Sequence, residues 1–558
     1  DGARASKVCE AHDTDRQRTP PTDSEPSGNS DSESEHSGDA NAPPVPLSPI
    51  PCVRTGTGPM APVTFLRSVP ETEELYVPPE SLFDDIVRRE VDRVSHQSMN
   101  HTVYDSVQSV SVTGEQSLLF ESRFESGNLR RAIQVYEYEY DLILNPDYNT
   151  SWHTQWYLFR VKNTKRGPRY RFNIINMIKP TSAYNEGMRP LFYSKIEAAT
   201  GTGWVRRGED IAYYQNGIRR KEKAYYTLTF TFTFPHDEDE VYFSHCYPYT
   251  FSDLQQDLRV MEQDPSLLRR FRRRKLCDTL AGNPCDLITI TSFGDSVALR
   301  VRRAVVITAR VHPGESNASW VMKGILDFLT GTSVDARILR ENFVFKIVPM
   351  LNPDGVIVGN SRCSLAGHDL NRQWDEPSRK LHPTIFAAKR MMRQLKEDRE
   401  VVLYIDVHGH SRKKNVFMYG NTGLREKIFP RLLSKSCGFF NFDDCCFKKR
   451  GHESTARVVA KRELSINAFT LEASFCGADF GHLAHQHFTT KHFEEMGCMV
   501  CDAIIDFCDP DQSKVLMILK ELQVLFPEGN SDASDSEEER RKTRKLRKRK
   551  GRSEVKTR

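Results

Sequence analysis

Between residues 287 and 473, short apolar runs alternate with stretches patterned as helices, and this alternation narrows the fold more than any other feature of the chain. The runs are LITIT (287–291), AVVITA (304–309), FVFKIVPM (343–350), VVLYIDV (401–407) and AFTLEA (468–473). Helical periodicity falls between them at about 315–330, 383–399 and 424–436. Strands and helices in alternation build an α/β domain on a mixed, largely buried sheet. Ligands of such sheets gather where the strands end. Chemistry is therefore sought in the residues that follow each run.

Upstream the pattern is of strands alone. VYEYEYDLIL (135–144), WYLFRV (156–161), YRFNII (170–175) and AYYTLTFTFTF (224–234) are separated by the turn clusters NPDYN and TKRGP. Short strands at this spacing predict an antiparallel β-sandwich over 118–250. The predicted order is a disordered acidic Ser/Pro-rich segment (1–70), a linker with short helices (71–117), the sandwich, and the α/β domain (251–510). A C-terminal helix (511–530) and a disordered tail (531–558) follow.

Composition supports this division. Residues 1–50 carry ten Asp/Glu against four Lys/Arg, and such a segment cannot bury enough apolar surface to offset its ordering entropy. At the other end, ten of the thirteen residues in Arg540–Arg552 are basic, which reads as a solvated tail, a nuclear-entry signal or a polyanion contact. No run of eighteen apolar residues predicts a membrane span. Thirteen cysteines without a framework spacing suit a reducing, cytosolic or nuclear compartment. The chain does not begin with Met, consistent with a fragment, and it shows no secretory leader.

Three motifs sit at the strand ends. In HPGES, His312 follows a strand and Glu315 opens a helix, so both can face one ion, although HxxE alone is commonly an ordinary turn. In YIDVHGHS, period-two alternation puts Asp406, His408 and His410 on one side of a strand leaving the sheet. Two histidines and one glutamate leave a fourth zinc position free, the arrangement of a catalytic site. In FTLEAS, Glu472 lies within an apolar run, where a carboxylate is costly unless used, and beside the metal it would serve as general base. The loop NPDGVIVGNSRCSLAGHDLNRQW (352–374) adds Arg362, Asn371 and Arg372 as a donor-rich wall suited to a carboxylate and an oxyanion.

HPGE, NPDG, DLNRQW, DVHGHS and TLEAS, in this order, resemble the zinc metallocarboxypeptidases. FESGNLRRA (124–132) and YPYTFSDL (247–254) resemble the cytosolic carboxypeptidase subfamily within them. The resemblance covers about residues 118–510. It implies one zinc ion per chain held by His312, Glu315 and His408, with Glu472 as base and Arg362 assisting the oxyanion. Asn371 and Arg372 would anchor the substrate's terminal carboxylate, and His410 is not a ligand position. Arg457, a strand and turn upstream of Glu472, would select an acidic C-terminal side chain; Ala456 stands where the subfamily has Gly. No Tyr lies between Tyr419 and Glu472, so the loop tyrosine of secreted relatives has no counterpart. The implied activity is removal of C-terminal glutamates from protein tails. The implied partners are polyglutamylated tubulin and microtubules, and the implied setting is the cytoplasm, cytoskeleton, centriole and cilium.

Two rivals remain at this stage: a related zinc amidohydrolase acting on a small acyl-amino acid, and a non-catalytic module binding microtubules or nucleic acid through the basic tail. Three features read more plainly. Cys498–Cys501 reads as core cysteines, Arg269–Lys275 as a charged helix face, and His482, His485, His487 and His492 as a solvated loop and helix face.

Overall fold

The computed structural model describes residues 60–95, 99–110, 117–294, 296–448 and 453–527. Expectations about residues 1–59 and about the acidic-then-basic segment from 528 lie outside these. The described residues belong to one compact unit in which a β-sandwich domain abuts an α/β domain.

The sandwich pairs a six-stranded with a five-stranded sheet. The larger runs in the order His101–Asp105, Arg131–Tyr136, Glu139–Ile143, Tyr170–Met177, Lys223–Phe232 and Glu209–Arg220. The smaller comprises Leu119–Glu121, Leu158–Lys162, Val241–Ser244, Leu191–Ser194 and Val205–Arg206. Phe159, Phe172, Phe230 and Phe243 meet between them, fully buried, with Phe172, Phe159 and Phe230 ring centroids 5.4–5.7 Å from that of Phe243. Each such ring contributes about 1.5–3 kcal/mol by leaving water, so this aromatic layer outweighs any surface ion pair as a source of cohesion.

Three expectations need correction here. The sheet is not wholly antiparallel, because Glu139–Ile143 pairs parallel with Tyr170–Met177. Nor is 71–117 a linker: His101–Asp105 pairs with Arg131–Tyr136, and the helix Leu82–Ser95 buries Leu82 and Ile86 against Ala212. Thr227, Thr229 and Thr231 are buried although they alternate with apolar residues, and Thr229 is tied to that helix through a polar network. Thr229 Oγ1 donates to Asn173 Oδ1 (2.9 Å), Asn173 donates to Asp141, and Arg93 closes the network on Asp141 at 2.6 Å. The third correction concerns residues 60–70, which pack instead of trailing in solvent. Phe65 inserts among Tyr193, Trp204 and Tyr242, and Arg67 makes a bidentate pair with Asp257.

The α/β domain is built on a seven-stranded mixed sheet. Its order is Phe271–Asp278, Pro284–Ile290, Phe343–Val348, Arg303–Ala309, Val401–His410, Ala468–Ser474 and Val416–Tyr419. The four strands from Phe343–Val348 to Ala468–Ser474 are parallel, and those outside them are antiparallel. Both faces are covered, hence the continuous apolar runs. Val305, Ile307, Ile405 and Val407 join the core under the helices Ser316–Thr330 and Thr490–Cys508. Ala304, Val306 and Tyr404 face Pro383–Asp398 and Ala456–Leu464. Gly324 and Gly497 let the first helix pair cross closely, since a Cβ at either would lie 2.0–2.3 Å from a backbone oxygen of the partner helix.

Arg269–Lys275 is not a helix face. Arg272, Arg273, Arg274 and Lys275 lie on the edge strand Phe271–Asp278, where charge on an unpaired edge opposes strand-to-strand aggregation. His487 is likewise no solvated histidine: it is fully buried, and its Nε2 accepts the Arg189 backbone N–H at 3.0 Å. No helix among the described residues is long and apolar enough to cross a membrane.

Candidate active site

The parallel strands deliver the site. Arg303–Ala309 ends just before the turn that carries His312, and Glu315 stands at the start of the helix Ser316–Thr330. Arg310, with φ +55°, turns the chain out of the sheet. Its buried guanidinium donates to the Pro313 carbonyl at 2.7 and 3.0 Å, and so pins the HPGE turn from beneath. His408 leaves the sheet on the adjacent strand. In parallel register it is paired with Glu472 on the strand beyond, so those two side chains emerge on the same face.

His312 Nδ1 lies 2.9 Å from Glu315 Oε1, and His408 Nδ1 lies 3.0 Å from Glu315 Oε2. One donor atom from each of the three residues falls within 4.8 Å of the others. The outward nitrogens are both occupied by carboxylates: His312 Nε2 meets Asp369 Oδ1 at 3.1 Å, and His408 Nε2 meets Asp406 Oδ2 at 2.7 Å. A carboxylate accepts and cannot donate, so each Nε2 donates its N–H outward, and the Nδ1 atoms facing Glu315 are the positions that would turn a lone pair to a bound metal ion in place of a proton. This outer carboxylate is the partner a metal-bound histidine requires. The donor set, its burial and its outer carboxylates therefore fit a zinc ion.

The charges agree with that geometry. Burial alone would raise Glu315, but the two histidines hold its carboxyl well below the ordinary range. Burial would lower His408, and Asp406 and Glu315 outweigh it and raise the imidazole well above its usual value. Asp369 is pushed up by burial, yet Arg362 and His312 hold it well down. A bound divalent cation would take the place of the protons shared between Glu315 and the two Nδ1 atoms.

The loop residues form one connected wall. Arg362 donates to Asp369 Oδ2 at 2.6 Å, so the carboxylate that orients His312 also orients Arg362. Asp369 caps the short helical turn Leu370–Arg372 through the Asn371 N–H (2.8 Å), which sets Asn371 and Arg372 beside it. Asn371 Oδ1 in turn accepts the Ala456 N–H at 3.1 Å, one residue from Arg457. Arg457 lies on the first turn of the helix Ala456–Leu464, not on a strand; that helix ends at Ser465, whose φ of +53° turns the chain into the final strand. Its guanidinium donates to Gly420 O at 2.7 Å and Asn421 Oδ1 at 2.9 Å. Burial lowers its pKa. Among the described residues no carboxylate is ion-paired with it. His410 is not part of the donor cluster: its Nδ1 accepts the Lys413 N–H at 3.0 Å and its ring packs 5.2 Å from that of Phe417.

Asp369, Asp406 and Arg310 were not singled out as functional from sequence. A carboxylate two residues before His408 and another two before Asn371 were the available signals; nothing local marks Arg310.

A largely buried His–Glu–His donor set beyond the ends of parallel strands, with a carboxylate on the next strand, is the site of a metal-dependent hydrolase. Residues 258–427 match the zinc carboxypeptidase family, and residues 120–246 match the cytosolic carboxypeptidase N-terminal domain. Cytosolic carboxypeptidase 3 of Bos taurus is 49% identical over 419 residues, which is 73% of this chain and 42% of that protein. Cytosolic carboxypeptidase 2 of Xenopus tropicalis is 50% identical over 422 residues, 74% of this chain and 44% of that protein. A crystal structure of a metallo-carboxypeptidase from Burkholderia cenocepacia shares the fold, with a TM-score of 0.58, 22% identity and coverage of 70% of this chain and 98% of that one. The chain belongs to the cytosolic carboxypeptidase family of zinc carboxypeptidases. It spans less than half the length of these two curated relatives.

Proposed function

We propose that this chain removes C-terminal acidic residues, glutamate foremost, from protein tails, and that polyglutamylated tubulin in the cytoplasm and at microtubule-based structures such as cilia is a substrate. The observation that carries the acidic preference is Arg457. Its half-buried guanidinium is held by two neutral oxygens and has no carboxylate ion-paired with it among the described residues. A partly desolvated cation on which the Glu426 carboxylate acts without forming an ion pair can receive an anion.

His312, Glu315 and His408 would hold the zinc ion, which when bound supplies Lewis-acid polarisation and a water of lowered pKa. Glu472 takes a proton from the attacking water and later hands one to the leaving amine. Arg362, steadied by Asp369, donates to the oxygen on which negative charge develops. Asn371 and Arg372 hold the terminal carboxylate. Asn371's bond to the Ala456 N–H keeps that anchor at a set distance from Arg457, so a substrate is measured at its carboxylate and its side chain together.

Peptides ending in Glu, Asp, Lys, Tyr and Phe, assayed with the zinc-loaded full chain, test the reading. Hydrolysis should be fastest for Glu. A preference for Lys or Phe would refute the Arg457 assignment, and no release of any C-terminal residue would refute the activity.

A further inference from the structure

We infer that Asp147, a residue of the β-sandwich domain, is a positioning residue for the α/β domain's Arg362. Asp147 lies in the NPDYN turn between the strands Glu139–Ile143 and Leu158–Lys162, and is 1% exposed. Its own backbone is anchored in its home domain, with its N–H donating to His153 O at 2.8 Å and its carbonyl accepting the Thr150 N–H at 3.0 Å. The side chain reaches the other domain. Oδ1 accepts the Ser361 N–H at 2.6 Å and the Ser361 hydroxyl at 2.9 Å. Oδ2 accepts the N–H groups of Arg362 and Cys363, each at 2.7 Å.

Three consecutive backbone N–H groups converging on one buried carboxylate form an anion nest filled from a neighbouring domain. Burying a carboxylate is unfavourable unless its oxygens are satisfied, and here four donors satisfy them. The clamp lies where the loop most needs one. Residues 358–369 contain no helix or strand, so the main chain of Arg362 has no ladder of its own. Neighbouring contacts add to the same seam: the Tyr148 N–H donates to Asn360 Oδ1 at 2.9 Å, and Asn149 Nδ2 donates to Leu365 O at 2.8 Å. The Ser361 carbonyl also accepts the Gly314 N–H at 2.9 Å, between His312 and Glu315. The sandwich domain thus supplies part of the site's scaffold, and Asp147 acts on the reaction through Arg362 without touching substrate.

This inference rests on the oxyanion role given to Arg362 above, and the test separates the two. Asp147→Asn, Arg362→Ala and the double variant are made in the full chain, with kcat and KM measured on a glutamate-terminated peptide and zinc content and Tm measured alongside. An amide in place of the carboxylate turns a donor toward the N–H groups and displaces the loop. A shift of about 1 Å in a catalytic group costs on the order of 100-fold. Asp147→Asn should therefore lower kcat by about 10- to 100-fold, with zinc retained and KM changed less than about threefold. In the Arg362→Ala background the same substitution should change kcat by less than about threefold. If the losses multiply, or if Asp147→Asn lowers Tm while leaving kcat per zinc-loaded molecule at the wild-type value, Asp147 is structural only and the inference fails. Wild-type kcat in Arg362→Ala alone would remove the oxyanion reading and the inference with it. Should Asp147→Asn not fold, Asp147→Glu keeps the buried charge while moving it by one methylene, and enters the same cycle with the same deciding results.

Discussion

His408 and Glu472 are direct partners across neighbouring parallel strands, so the last ligand and the carboxylate assigned as base rise from the same face of the sheet. Neither depends on a flexible loop for its place. Glu472→Gln should keep the fold and the zinc content while lowering kcat by about 10²–10⁴-fold, the range a general base contributes. Turnover of a glutamate-ended peptide and metal content on the same sample check it. Retained turnover would assign the proton transfer elsewhere.

Asp406 touches His408 and not the metal position, and it is itself held by Thr308 Oγ1 at 2.7 Å. Asp406→Asn should weaken zinc binding by about 10- to 100-fold, as loss of an outer carboxylate does. Titration with a competing chelator measures this directly. Full zinc affinity in the variant would mean that the His408 ring is oriented by the strand alone.

The sheet and the ligands were legible because parallel strands covered on both faces leave unbroken apolar runs, and because HPGE, DVHGH and TLEAS each fall where a run ends. What was not legible depends on contacts between distant segments. Asp147 reads as part of a turn, and only the packing of two domains shows that it holds the Arg362 loop, 214 residues or more along the chain. His487 is buried where the main chains of Arg189 and Glu73, distant in sequence, meet its two ring nitrogens. Charge misled at Arg269–Lys275, since a run of basic residues carries no period, and an edge strand tolerates it as well as a helix face does.

Arg457 makes the sharpest specificity prediction. Breaking a desolvated charge pair costs about 2–5 kcal/mol, equal to roughly 30- to 5000-fold. Arg457→Ala should lower kcat/KM for a Glu-ended peptide within that range and leave a Phe-ended peptide at or above its wild-type rate. Arg457→Glu should shift the preference toward Lys. An equal loss on all peptides would instead place Arg457 in the support of Gly420 and Asn421.

Glu240 carries a pH prediction for the sandwich domain, remote from the metal. Burial pushes its carboxyl up, but hydrogen bonds from Lys162, Lys195 and Tyr242 outweigh this and hold it down at about 2. The donors lie at 2.7, 2.5 and 2.7 Å. A carboxylate whose folded pKa is below its unfolded value of 4.5 stabilises the fold while both states are ionised. The contribution is therefore complete above about pH 5 and is lost as pH falls from there toward 2. With the two lysines about half exposed, the pairs should be worth on the order of 1 kcal/mol. Thermal unfolding of the wild type and Glu240→Gln should show a Tm gap that is constant from pH 7 to 5, narrows below pH 5 and closes only below about pH 2. A gap that persists undiminished at the acid end would show that Glu240 stabilises the domain by packing and not by charge.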